Sequence, residues 1–132
     1  MIKEAYCSYE ISRLLKEKGF DEHCDNYYDQ SLDEPQQLTI DEMYYSCDEF
    51  IKAPTHQMAC AWLREKHNIF IEISVSIDLN DNYYYNYSIL NRECKYVRKR
   101  YTAFDWNYED TYEDAVEAAL KYALENLIKE QQ

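Results

Sequence analysis

Glycine is nearly absent from this chain: Gly19 is the only one in 132 residues. Loops that cradle phosphates need several glycines, so that the backbone can approach the anion and take positive φ. Neither a P-loop nor a dinucleotide fingerprint can be written with one, which argues against the ordinary nucleotide-binding enzymes. No HExxH, CxxC or GxSxG motif is present, and no EF-hand loop with its central glycine. Long apolar runs are missing too; none approaches the roughly 18 residues of a membrane span. The opening "MIKEAYCSYE" has no basic region leading into an apolar stretch, so no secretory signal is expected.

Positive charge is absent from a whole segment. Between Gly19 and Ile51 there is no Lys or Arg, while Asp21, Glu22, Asp25, Asp29, Asp33, Glu34, Asp41, Glu42, Asp48 and Glu49 supply ten negatives. The net charge of −12 disfavours nucleic-acid binding, which draws its affinity from counterions released by Lys and Arg. The exception is "RECKYVRKRY", with five basic residues and one acid. An acidic side and a basic strand are expected on one surface, which bears on partners rather than on fold.

What is present fits one soluble domain over 1–132, with 46% hydrophobic and 30% charged residues. Much of the apolar share is 15 tyrosines, which bury a ring and leave a hydroxyl needing water or a partner. The five cysteines, at 7, 24, 47, 60 and 94, are odd in number and far apart. Reduced thiols in a cytoplasm are expected.

A first helix is expected from Ser8 to Lys18, capped by Ser8 and ended by Gly19 in the left-handed C′ position, with Phe20 folding back. The segment from about 21 to 50 reads as an ordered but irregular insert in which "QLTI" could form a short strand; its aromatics argue against plain disorder. Thr55 caps a second helix, which Asn68 stops. In "IFIEISVSIDL" apolar and polar residues alternate over eleven positions, the period of a strand with one buried face. "NDN" is a turn, "YYYNYSIL" the returning strand, and a third strand is expected within Cys94–Ala103. Thr111, with Asp114 three residues on, caps a last helix whose stripe runs from Val116 to Ile128. The expected fold is α+β: a two-layer sandwich in which an antiparallel meander of about three strands is covered on one face by three helices.

"APTHQMACAWLREKHNIFIEI" and "YEDAVEAALKYALENLI" resemble segments of uncharacterised short proteins encoded in prophages and mobile elements of gut anaerobic bacteria. Those proteins also share an N-terminal "LLKEKGF"-like helix. The resemblance covers both ends and the middle of the chain but not the acidic insert. It implies a fold and a genomic origin, and it carries over no catalytic residue.

No catalytic, cofactor or metal residues are assigned. His56 and Cys60, at i and i+4, share a helix face at a spacing that zinc can use, but no further ligands complete a set. Cys60 reads more simply as a buried helix residue, and His67 as a positive charge against the helix dipole. His23 and Cys24 with Asp21, Glu22 and Asp25 could collect a divalent ion; solvated negative charge is the plainer reading. The remaining candidate is an interaction surface of Phe70, Tyr84, Tyr96, Arg98, Arg100 and Tyr101, since Tyr and Arg are common interface anchors. The expected function is non-enzymatic protein–protein binding, with a basic partner if the acidic face imitates phosphates. No cofactor and no membrane are expected, and a homodimer through an edge strand is left open. The alternatives are a metal or thiol enzyme using His56 and Cys60, and a nucleic-acid binder that stacks bases on the basic aromatic strand.

Overall fold

A computed structural model describes residues 2–29, 37–39, 50–98 and 108–128. The chain is α+β. In order it forms α1 (Tyr9–Glu17), β1 (Asn26–Asp29), β2 (Gln37–Thr39), β3 (Phe50–Lys52), α2 (His56–His67), β4 (Phe70–Ile77), β5 (Tyr83–Leu90), β6 (Tyr96–Arg98) and α3 (Tyr112–Asn126). Two compact units divide the described residues, one up to Ala59 and one from Cys60 onward, so the division falls within α2.

In the first unit the start of α1 follows from Ser8, whose Oγ accepts the Ile11 N–H at 3.3 Å. Its end is a Schellman motif. Gly19 sits at φ +93°, its N–H reaches the Lys16 carbonyl at 3.2 Å, and the Phe20 N–H reaches the Leu15 carbonyl at 2.9 Å. Phe20 is buried by that return. The acidic insert holds more regular structure than its sequence suggests. β1 pairs antiparallel with β2 on one side and β3 on the other, in the order β2-β1-β3. These strands span three or four residues, too short for a period-two pattern to declare itself. Tyr28, Ile51 and Ala53 form a small buried cluster against which Tyr9 packs, its ring edge-on to Tyr28 at 5.7 Å. Backbone bonds from Cys7 to Pro54 and from His56 to Ala5, both 2.9 Å, tie the N-terminal segment to the chain just ahead of α2.

The second unit is the expected meander, in the order β4-β5-β6 with α3 packed on β5 and β4. Thr111 Oγ1 accepts the Asp114 N–H at 3.0 Å, and Ala115, Val116, Ala119, Leu120, Ala123 and Leu124 are the buried stripe. Asn68 stops α2 at φ +55°. Both hairpin turns are built the same way without glycine. In 78–82, Asp78 Oδ1 accepts the N–H groups of Asn80 and Asn82 at 2.8 and 2.9 Å, and Asp81 takes φ +60°. In 91–95, Asn91 Oδ1 accepts from Glu93 and Lys95, both at 3.0 Å, and Cys94 takes φ +59°. An Asx side chain opens each turn, and a residue in the left-handed region closes it, where glycine would ordinarily stand.

Candidate functional site

The β4–β5 register places Ile71, Ile73, Val75 and Ile77 on one face with Ile89, Tyr87, Tyr85 and Tyr83. α3 lies over that face: Tyr112 meets Tyr85 edge-on at 6.2 Å, and Tyr122 meets Tyr87 at 6.5 Å. The helix sits mainly over β5. Cover therefore fails towards the turn, where Val75, Ile77 and Tyr83 are 55%, 52% and 64% exposed and Leu79 is fully exposed. A face buried along all of 69–79 is thus corrected to one buried only at its base. Among the described residues β4 has no strand on its outer side. Its sequence, FIEISVSI, has one charge and neither proline nor lysine to blunt that edge.

The six residues expected as an interaction surface do not converge. Phe70 and Tyr84 share the face away from α3 but lie at opposite ends of the hairpin. Phe70 is exposed, whereas Tyr84 is half-buried against Tyr108, ring centres 5.1 Å apart. Tyr96 is exposed. Arg98 belongs to the α3 side, its guanidinium carbon 4.3 Å from the centre of the Tyr122 ring and 5.3 Å from that of Tyr87. Arg100 and Tyr101 lie outside the described residues.

Of the acidic face, Asp21, Glu22 and Asp25 are exposed, and Asp29 is not: at the end of β1 it is only 5% exposed. Asp33, Glu34, Asp41, Glu42, Asp48 and Glu49 lie outside the described residues. Asp25 pairs with His23 at 3.3 Å, and Asp21 with Lys52 at 3.5 Å, both carboxylates in water, where such pairs contribute little. Cys24 is buried beneath this surface, its Sγ 3.9 Å from the sulfur of Met58. Burial pushes its thiol up, with Asp25 and Glu22 adding to the effect and Lys52 opposing it. A thiol held protonated is a poor nucleophile and a poor metal ligand.

His56 opens α2, and the fold brings it to Cys7, with ligand atoms within 4.8 Å of each other. Cys60 is half-buried, and burial raises its thiol pKa despite Arg64, which works against thiolate chemistry. His67 meets Trp62 edge-on at 4.7 Å, and burial lowers its pKa from 6.5. That favours the neutral ring and weakens any charge it offers to the helix dipole.

A cavity that nothing in the sequence pattern announced lies within the first unit. It encloses about 220 Å³ and is lined by Ser12, Lys16, Phe20, Asp21, Phe50 and Lys52. Ser12 and Lys16 are one turn apart on α1, Phe20 is carried inward by the Schellman turn, and Phe50 and Lys52 are the ends of β3. Ser12 is 1% exposed, and its Oγ has no hydrogen-bond partner among the described residues. A buried hydroxyl left unpaired costs about 1–3 kcal/mol.

No protein-family model, curated protein or solved structure matches this chain. Among the described residues no helix is long and apolar enough to cross a membrane.

Proposed function

We propose that this protein works without catalysis, by binding another protein, and that the uncovered tip of the β4–β5 hairpin makes the contact. The observation carrying the reading is the row Val75, Ile77, Leu79 and Tyr83, apolar and exposed beside an edge of β4 that no other strand among the described residues pairs with. A partner segment in extended conformation would add to that edge through main-chain hydrogen bonds and set apolar side chains on the row. The raised thiols of Cys24 and Cys60 speak against the thiol-enzyme alternative. Arg98, engaged with two tyrosines, is ill placed to follow a nucleic-acid backbone. The resemblance to short prophage and mobile-element proteins supports an accessory role in a bacterial host cell.

The test is capture of partners from host lysate, at low and at moderately high salt, by the wild-type chain and by a Val75→Lys, Ile77→Lys variant. The expected result is one enriched protein that survives high salt and is lost with the variant. A basic protein lost at high salt but indifferent to the variant would move the contact to Asp21, Glu22 and Asp25. Capture of nothing at either salt would overturn the reading.

A further inference from the structure

The cavity of the first unit has the makings of a ligand site, and its parts are chemically specific. Serine inside a helix ordinarily points to water or bonds the carbonyl four residues back. Ser12 does neither: it is buried, and the Ser8 carbonyl receives the Ser12 N–H at 2.8 Å while its Oγ stays unpaired. Alanine would fill the same place in α1 without stranding a polar atom. Ser12 lines a cavity together with Lys16 and Lys52, two of the five basic residues in the first 59 positions. In so acidic a segment, two lysines lining one cavity are a concentration of positive charge. Lys52 already holds a carboxylate at 3.5 Å, that of Asp21, whose side chain is 98% exposed and free to leave. The remaining wall is aromatic, Phe20 and Phe50. A dry cavity of about 150 Å³ accommodates benzene, so 220 Å³ suits one ring with one small polar group and is too small for a nucleotide.

We propose that this cavity binds a small aromatic carboxylate: the ring lies against Phe20 and Phe50, and the carboxylate meets Lys16, Lys52 and the Ser12 hydroxyl. Charge-assisted bonds from two ammonium groups set the preference for an anion. The ring excludes inorganic phosphate as an equal ligand, because phosphate leaves the aromatic wall uncovered. Asp21 competes for Lys52 and repels the ligand.

The probe is benzoate, followed by amide chemical shifts in the intact chain, with benzamide and inorganic phosphate as comparisons. Benzoate is expected to move the amides of Ser12, Phe20 and Lys52, with a dissociation constant of roughly 1 mM or tighter for a ligand of this size. Benzamide and phosphate should each bind about tenfold more weakly or worse, in line with the loss of one charged or one apolar contact. Ser12→Ala should weaken benzoate about five- to tenfold while raising the melting temperature of the free protein. Those two effects in opposite directions mark a hydroxyl kept for a ligand. Asp21→Asn should tighten binding, and Lys52→Gln should abolish it. Absence of any shift at these amides, binding unchanged in both Ser12→Ala and Lys52→Gln, or phosphate binding as tightly as benzoate would each overturn the assignment.

Discussion

The Tyr28 hydroxyl donates to the Cys7 carbonyl oxygen at 2.7 Å, a buried bond between β1 and the segment ahead of α1. It joins two parts of the first unit 21 residues apart, at the point where Tyr28 also meets Ile51 and Ala53. Tyr28→Phe keeps the ring and removes the bond. It is expected to cost about 1–2 kcal/mol, read as a lower urea midpoint by circular dichroism. An unchanged midpoint would mean that the hydroxyl does not hold these segments together.

The two hairpin turns place Asp81 and Cys94 at positive φ. A side chain there costs roughly 1–2 kcal/mol, less for Asp, which tolerates the left-handed region. Cys94→Gly is therefore expected to stabilise the protein by about 0.5–1 kcal/mol after the entropy that glycine adds to the unfolded chain. Asp81→Gly should give less. The same urea experiment ranks them.

Asp78 is exposed, yet the Asn82 and Asn80 N–H groups hold its carboxyl below its usual 3.8. Because its folded pKa is the lower one, the stabilisation is present above the unfolded value and is lost as pH falls through the folded value. A carboxyl titration by NMR should show Asp78 ionised in acid where ordinary aspartates are half protonated. Asp78→Asn should keep the turn, since Asn91 builds its twin with a carboxamide, and should remove that part of the acid sensitivity.

The four cysteines among the described residues form a ladder of access. Cys94 is exposed, Cys60 half-buried, and Cys24 and Cys7 buried. Burial raises the thiols of Cys60 and Cys24 above 9.0, so folding favours their protonated forms. Their contribution to stability is complete below the unfolded value and is lost as pH rises through the folded one. Alkylation with iodoacetamide at pH 8, followed by peptide mass spectrometry, should, of these four, label Cys94 first and Cys7 and Cys24 last. Early labelling of Cys24 would contradict its burial.

Much of this architecture is written in local signals. Ser8, Gly19, Thr55, Asn68 and Thr111 each mark a helix end through a bond or a dihedral that only neighbouring residues decide. Thr55 Oγ1, for instance, accepts the Met58 N–H at 3.1 Å. The β4–β5 register follows from eleven alternating residues and a turn. The rest depends on distant segments. β1, β2 and β3 are too short to show a period, and pairing alone makes them a sheet. Lys16 and Lys52 meet at one cavity because α1 packs on β3, which no spacing along the chain reveals. Arg98 could be placed in a strand from its surroundings, but not over Tyr122 rather than in water.

The side of β4 that no strand among the described residues covers also bears on how this protein keeps in a tube. Its eight residues are rich in β-branched side chains and lack glycine and proline, the composition that stacks into cross-β when two copies meet. Mutual repulsion at a net charge of −12 stands between those copies, and that repulsion reaches only about 10 Å in 0.1 M salt and about 3 Å in 1 M. Concentrated salt, often added to preserve a preparation, would here let the edges find each other, and dilute buffer should be the gentler store.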